Sequence, residues 1–463
     1  MALSNTMRAG TVRTFERSLY VSQSSLAQTL AQVCVISLIC LSILPPAIGL
    51  GDDYFYVKVE QALLPIIFLL YFWLLLAGVV RRINLNGMFL VGVCYSFSVA
   101  LSIWYGANIL GQPVILRDFY EIPKLWFPIV FFTIAYEAEL SEAGLRRLLN
   151  YFSITLLLIC LYAWAQWFDL GIAHWLDNSY AAGKHVEGSL WYARRVYSTM
   201  GNPNILGELM VWSIAAFALA TLLRVGNQKR NLAVMFACLS TLGMTGSRYG
   251  LLNTSLALVL ILGMTVASHR QLPKLVLPLF LAPLFGLAIF VVATSNQKTL
   301  ARYQTLQNPL TTDSLRDRLD NLWLDAGQEI ARSPILGHGP FKAYFTGIIT
   351  DSEFLDVLKE FGVFGFLFYL AYFLFPLFLV WRGMRAGQRA GRGLEERIPA
   401  TFLTMRLSFV IIITALAMNV GMSTFYNAIL QGFLFLWMGL GVRAAKTIGS
   451  FSSGNALTVQ VPR

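Results

Sequence analysis

The chain has 463 residues, of which 57% are hydrophobic and only 13% charged, and its formal net charge is +11. A soluble domain carries about twice that charged fraction, so the composition excludes an ordinary soluble protein and indicates an integral membrane protein. The positive charge is concentrated in alternate loops, which indicates membrane topology rather than nucleic-acid binding. The five cysteines lie inside apolar runs and lack the spacing of a metal cluster.

Apolar runs predict an all-α protein with about twelve transmembrane helices, because each span needs about 20 mostly apolar residues. The first run has no clear small-residue cleavage site, so we interpret it as a retained span. The predicted limits are residues 27–50, 61–80, 86–108, 123–138, 148–168, 206–224, 231–246, 249–267, 274–294, 361–381, 404–422 and 425–442.

Two long polar connections divide this pattern. Residues 1–294 hold predicted helices 1–9, with an outside loop at about 169–205. A large, partly helical outside loop and the start of helix 10 occupy residues 295–360, and residues 361–463 hold helices 10–12 and a cytoplasmic tail. Long connections without regular structure are uncommon unless they are functional, so we expect the function on the outer face.

The orientation follows from the charges of alternate loops. One set of loops sums to roughly +15 and the other to roughly −4, and cytoplasmic loops are the ones enriched in Lys and Arg. Both termini are therefore predicted to lie in the cytoplasm.

An arginine pair, Arg194 and Arg195, lies near the end of the first long outside loop, before the turn Gly201-Asn202-Pro203-Asn204. The planar guanidinium group matches phosphate and carboxylate oxygens. The Gly-Asn-Pro-Asn turn can start the next helix. The alternative is a pair that extends to lipid headgroups or to nearby acids, and composition does not decide between the two.

A link between predicted spans seven and eight, Thr245-Gly246-Ser247-Arg248, is too short for a real loop. Arg248 is therefore expected at or inside the membrane boundary. A charge there is costly unless it is paired or faces water, which makes Arg248 a functional candidate. The alternatives are extension of the side chain to the interface, or a structural pair with Glu208 or Asp118.

The large loop carries Arg316 and Arg318 within a short predicted amphipathic helix. The apolar residues at helical spacing are Leu315, Leu319, Leu322 and Trp323. These arginines could reach a phosphate. The alternative is a solvated face with salt bridges to Asp317 and Asp320, which contribute little each.

Carboxylates surround the start of predicted helix 10. Asp351 precedes it, and Glu353, Asp356 and Glu360 are spaced i, i+3 and i+7, on one helical face. A carboxylate here could act as the general base for a hydroxyl group. Spacing alone favours acidic turns that extend into water.

The histidines do not indicate a metal site. His174 and His185 lack metal-ligand spacing, and His338, between two glycines, is expected to be packed or hydrogen-bonded rather than catalytic. We expect no structural metal and no cofactor.

Three blocks in order resemble the O-antigen ligase and Wzy-type O-antigen polymerase superfamily. They are residues 195–204, residues 245–252, and a block at 333–365 with a Pro-x-x-Gly-x-Gly turn and an acidic helix start. The resemblance covers roughly residues 190–380. It implies a GT-C-like, multi-pass glycosyltransferase of a bacterial inner membrane, with its active site facing the periplasm and no need for a metal.

The resemblance also implies substrates and partners. The donor is an undecaprenyl-diphosphate-linked glycan and the acceptor is a glycan or lipid A core. The other partners implied are the lipid bilayer, a flippase and a chain-length regulator, with no nucleic acid.

The resemblance implies site residues by their positions in the three blocks. Arg195 matches the arginine before the Gly-Asn-Pro-Asn turn, Arg248 that of an Arg-x-x-x-Leu motif, and Arg318 looks like the loop arginine. With Arg194, these are expected to bind the diphosphate. Arg248 is also expected to act in catalysis, with Asp351 or Glu353 as the group that orients or deprotonates the acceptor, and the anomeric centre is expected to invert.

One departure from the pattern bears on the activity. Ligases usually begin the last block with His, where this chain has Asp351 followed by Ser352 and Glu353. The departure favours an O-antigen or exopolysaccharide polymerase. Two alternatives stay open: a ligase to lipid A core or a protein O-oligosaccharyltransferase, and a transporter or flippase of an anionic lipid-linked substrate. Transporters place charges near the midplane, whereas here they cluster outside.

Overall fold

The structure, a computed structural model, is almost entirely helical in the part of the chain that it describes. That part comprises residues 29, 32–40, 42–44, 47–49, 56–58, 69, 87–138, 140–180, 195–267, 318–340, 350–422 and 428–452. Two short strands, β1 (Ala47–Gly49) and β2 (Tyr56–Lys58), pair antiparallel. The helices are α1 Gly87–Asn108, α2 Leu116–Glu137, α3 Glu142–Trp167, α4 Gly171–Tyr180, α5 Pro203–Leu222, α6 Gln228–Thr245, α7 Arg248–Ala267, α8 Trp323–Arg332, α9 Glu353–Ala390, α10 Arg392–Arg397, α11 Pro399–Met418 and α12 Ala428–Ser452.

Six of the described helices are long and apolar enough to cross a membrane, namely α1, α3, α5, α7, α9 and α11. Each coincides with a predicted span, so the described part is that of a membrane-embedded helical protein. Predicted spans at 123–138, 231–246 and 425–442 fall on α2, α6 and α12, which are not among the six. The spans at 61–80 and 274–294 lie outside the described residues apart from residue 69, and the total of twelve stays a prediction.

The first predicted span, 27–50, is wrong in its extent. Residues 32–40 are helical, but residues 42–44 form a turn and Ala47–Gly49 is strand. Two prolines, Pro45 and Pro46, follow the turn in the sequence. Proline lacks a backbone donor and disfavours helical geometry in the residue before it, so the helix does not continue to residue 50. The strand pair is only three residues long on each side, and the described part is consistent with the predicted all-α class.

Helix α5 lies at the centre of the bundle. Nearly all of its side chains are buried, and it packs against α6, α7 and α11. The Asn202 side chain accepts a hydrogen bond from the Asn204 backbone N–H (2.8 Å), and Pro203 occupies the first helical position. Both features favour a helix start, so the predicted turn-to-helix transition is confirmed.

The ends of the helices lie at two opposite faces of the bundle. The face that contains the link between α6 and α7 is called the turn face, and the other the opposite face. At the opposite face, the Glu142 side chain accepts hydrogen bonds from the Ala400 N–H (2.6 Å) and the Thr401 N–H (3.1 Å). The Lys446 Nζ donates to the Tyr136 hydroxyl there (3.0 Å). Loop charge predicts that the turn face is outside.

Helix α9 is broken at Gly362, whose φ of 63° is left-handed. The break faces the turn at residues 334–340, and the two backbones exchange hydrogen bonds. They run from His338 N to Lys359 O (3.0 Å), Gly339 N to Glu360 O (2.9 Å), Val363 N to Pro334 O (2.8 Å) and Phe364 N to Ile335 O (3.1 Å). We call this pairing the glycine clasp. It satisfies polar groups that a helix break would leave unpaired, at high cost, inside a membrane protein.

Glycine is required on both sides of the glycine clasp. Gly337 has a φ of 71°, and a Cβ there would overlap the Glu360 carbonyl group. A Cβ on Gly362 would overlap the Ile335 backbone. Helix α1 holds the clasp from the side, because the Ser102 hydroxyl donates to the Glu360 carbonyl (2.6 Å). The Pro-x-x-Gly-x-Gly turn seen in the sequence therefore lets two backbone segments pack directly against each other.

Helix α8 lies in the region of the predicted large loop and follows a π-helical turn, Arg318–Leu322. His338 connects it to the glycine clasp: its ring is buried, and its Nε2–H donates to the Glu329 carbonyl oxygen (2.8 Å). The prediction of a packed, hydrogen-bonded His338 is confirmed.

Replacing Gly337 with Ala should destabilise the protein by about 2–4 kcal/mol, because it combines a left-handed backbone with steric overlap. Thermal unfolding of the purified protein in detergent measures the loss. The matched control is Gly327→Ala in α8, where a Cβ meets open space and helix propensity improves. Equal unfolding midpoints for both variants would contradict the clasp.

Candidate functional site

The link between α6 and α7 is a tight, capped turn. Gly246 ends α6 in a left-handed conformation with φ of 60°. The Ser247 hydroxyl accepts a hydrogen bond from the Gly250 N–H (3.1 Å) and so caps α7. Arg248 is the first residue of α7 and is half-buried. Gly207 of α5 packs directly against Ser247, so the turn is fixed against the central helix.

Arg195 reaches this turn from the preceding segment. Its Nε donates to the carbonyl oxygen of Thr245 (2.7 Å), and its Nη2 donates to the side-chain oxygen of Asn204 (2.7 Å). The Val196 N–H donates to the Met244 carbonyl (3.3 Å) beside it. Arg195 therefore joins the start of α5 to the turn that carries Arg248, three residues beyond Thr245.

The segment behind Arg195 is held by the end of α3. The side-chain oxygen of Gln166 accepts hydrogen bonds from the backbone N–H groups of Tyr197 (3.2 Å) and Ser198 (2.8 Å). The Ser198 hydroxyl donates to the Ile159 carbonyl (2.8 Å). Ser198 has a φ of 47°, an uncommon conformation for a residue other than glycine. Gln166 thus stabilises a strained backbone next to a candidate residue.

Arg318 comes to the same turn from the large loop. Its Nη1 donates to the hydroxyl of Tyr249 (2.6 Å), the residue after Arg248, and its guanidinium lies 5.3 Å from that ring centroid. Its Nε forms an ion pair with Asp351. The Trp323 Nε1 donates to the other oxygen of Asp351 (3.2 Å). The loop and the start of α9 are therefore linked to the turn through polar contacts.

The structure brings together three of the four predicted diphosphate ligands. Arg195, Arg248 and Arg318 all lie in or contact the stretch 245–249, whereas Arg194 lies outside the described residues. Asp351 joins this group through Arg318. Residues from three separate parts of the chain thus lie at or beside the turn that carries Arg248.

Glu353 is completely buried, so the interpretation of these acids as turns extending into water is wrong for Glu353. Hydrogen bonds beside it link the start of α9 to other helices of the bundle. Ser352, directly before it, donates from its hydroxyl to the Asn419 carbonyl (3.4 Å), and the Asn419 side chain donates to the Tyr369 hydroxyl (2.7 Å). Glu353 lies within electrostatic range of Tyr369. The start of α9 is part of the bundle interior.

Glu208 is a buried acid that the sequence argument named only as a possible partner of Arg248. It is completely buried in α5, and neither of its carboxyl oxygens accepts a hydrogen bond from the described residues. It lies close enough to Glu353 for the two carboxyl groups to interact electrostatically. The available signal was an acid inside an otherwise apolar span, which is a functional candidate by default.

Part of the chain matches a known family. Residues 233–370 match the family model described as O-antigen ligase. This segment, about a third of the chain, is similar to that family. The matched segment contains Arg248, Arg318, Asp351 and Glu353, and it ends before the opposite-face part of α9. The match supports an O-antigen ligase or polymerase type of function in general. No curated protein matches the chain significantly.

Replacing Gln166 with Leu should destabilise the protein by about 2–4 kcal/mol, because two buried N–H groups lose their acceptor. Thermal unfolding in detergent measures this. The same exchange at Gln388, which is exposed on α9, serves as the control and should change the midpoint little. If the two variants unfold alike, Gln166 does not support the Arg195 segment.

Proposed function

We propose that the protein is an O-antigen or exopolysaccharide polymerase. It transfers a polyprenyl-diphosphate-linked glycan onto a sugar hydroxyl of an acceptor repeat unit. The reaction takes place at the periplasmic face of the bacterial inner membrane, and both chain termini are cytoplasmic. The observation that carries the proposal is the convergence of Arg195, Arg248 and Arg318 on one turn, two of them within the segment that is similar to the O-antigen ligase family.

The arginines act on the leaving group. When the bond between the anomeric carbon and the diphosphate breaks, its electron pair stays on a phosphate oxygen. Fixed cations in a site shielded from water stabilise that developing charge strongly. Arg195 and Arg248 serve this purpose, and Arg194 is expected to bind the diphosphate with them. Arg318 clamps the diphosphate, and the guanidinium groups substitute for a divalent ion.

Asp351 is the carboxylate best placed to meet an acceptor. Its side chain is 31% exposed, whereas Glu353 is completely buried. Both of its oxygens already contact protein donors, but each carboxylate oxygen can accept more than one hydrogen bond. Asp351 orients the acceptor hydroxyl and takes its proton as the oxygen attacks the anomeric carbon. Attack opposite the leaving diphosphate inverts the anomeric centre. Glu353 and Glu208 shape the polar interior behind it.

Arg248→Ala should abolish polymer formation in a host that lacks the gene, and Arg248→Lys should reduce it strongly, because an ammonium group lacks the planar donor fork. Gel analysis of glycan chain length measures this at matched protein amounts. Arg147→Lys, at an exposed position near the other end of the bundle, is the control and should give a normal ladder. A normal ladder from both Arg248 variants would rule out the proposed role.

Asp351→Asn should lower the transfer rate by about 100-fold or more while donor binding persists, because the amide cannot accept the proton. Turnover of a purified lipid-linked repeat unit measures the rate. Glu353→Gln is the comparison, and it should retain more activity than Asp351→Asn. The reverse order would assign the base to Glu353.

A ligase is the second candidate, since the matching family model is described as O-antigen ligase. In a deletion strain, single repeat units in place of a ladder indicate a polymerase. Polymer that accumulates on the undecaprenyl carrier and is absent from lipid A indicates a ligase. Flux of lipid-linked substrate across liposomes without glycosidic bond formation would instead indicate a transporter. A flippase and a chain-length regulator are the partners that a polymerase would require.

A further inference from the structure

A cavity of about 750 Å³ opens at the opposite face, between the ends of α2, α9 and α12. It is separate from the candidate site, because α9 runs for about 28 Å from Val363 to Arg382 at the cavity. This length is close to the thickness of a bilayer's hydrocarbon core. None of the described residues that line it is acidic, and its cationic members are Arg382, Arg385, Arg389 and Lys446.

The three arginines lie on one face of α9, because they are spaced i, i+3 and i+7. Lys446 of α12 joins them from across the cavity. Arg385 also stacks on Trp381, with its guanidinium 3.7 Å from the ring centroid. None of the four forms an ion pair with a carboxylate among the described residues. Four cations around one cavity repel each other unless an anion binds between them.

The wall toward the membrane is apolar. Phe378 and Trp381 line the cavity and are 53% and 38% exposed. Phe378 lies one helical turn before Arg382, so the apolar and cationic parts follow one another along α9. Orientation in the membrane requires arginines in the loops, but it does not require them to be aligned on one face of a cavity. A ligand with an apolar part and an anionic end matches this arrangement.

We propose that the cavity binds the phosphate headgroup of an anionic phospholipid from the leaflet opposite the candidate site. The guanidinium groups of Arg382, Arg385 and Arg389 hold the phosphate oxygens, and the acyl chains leave past Phe378 and Trp381. Basic cavities between membrane helices bind anionic headgroups in this way. The binding ties α9 to α12, and the proposal does not depend on the glycosyltransferase function.

The test measures the thermal unfolding midpoint of the purified full-length protein in detergent as phosphatidylglycerol is added. Phosphatidylcholine and inorganic phosphate are the comparison ligands. The variant Arg382→Gln/Arg389→Gln should bind phosphatidylglycerol about 30-fold more weakly, since each arginine near a headgroup raises the affinity about fivefold. The control Arg147→Gln/Arg397→Gln removes the same charge from exposed positions and should respond like the wild type.

Unfolding midpoints without lipid show whether each variant folds. Stabilisation by phosphatidylglycerol alone, lost in the cavity variant and kept in the control, supports the site. Equal responses of the two double variants would overturn it. Stabilisation by inorganic phosphate to the same extent, or by phosphatidylcholine, would also overturn it, because the site would then not select an anionic lipid. The proposal would also be overturned if phosphatidylglycerol did not stabilise the wild type.

Discussion

The backbone pairing between the turn at 334–340 and the break at Gly362 constrains where the large loop can lie. A helix break inside a membrane bundle exposes N–H and C=O groups that lipid cannot satisfy. The glycine clasp satisfies them with groups from the loop, and side chains larger than hydrogen would separate the two backbones. The break and the turn at 334–340 therefore hold each other in place. Asp351 and Glu353 lie at the start of the α9 segment that precedes the break, so their positions follow from the same constraint.

The candidate site depends on contacts that converge from distant parts of the chain. The turn between α6 and α7 is short because Gly246 ends one helix and Ser247 caps the next. Arg195 donates to neutral oxygen atoms in and beside this turn, whereas Arg318 is held by a carboxylate. Each of these two guanidinium groups is thus bound by oxygen acceptors of the protein. The same arrangement suits the oxygen atoms of a diphosphate.

Local signals in the sequence predicted part of this architecture. Apolar runs predicted the membrane helices, the Asn-Pro-Asn turn predicted the start of α5, and the short link predicted Arg248 near a helix end. The break at Gly362 was not predictable, because apolar residues continue on both sides and glycine occurs within membrane helices. The burial of Glu353 was not predictable either, because the neighbouring Ser352 contacts Asn419, which is distant in sequence. The support of Ser198 by Gln166 is likewise a tertiary contact.

The helix starts at the turn face differ from the anion-binding helix ends of many phosphate sites. Free N–H groups at a helix start attract anions. Here leading N–H groups are already engaged: Asn204 by Asn202, Gly250 by Ser247, and Val363 by Pro334. A diphosphate bound as proposed would thus be recognised by arginine side chains rather than by these main-chain N–H groups. Because lipid-linked glycans share the diphosphate, the proposed role of these arginines would leave selection among sugars to other residues.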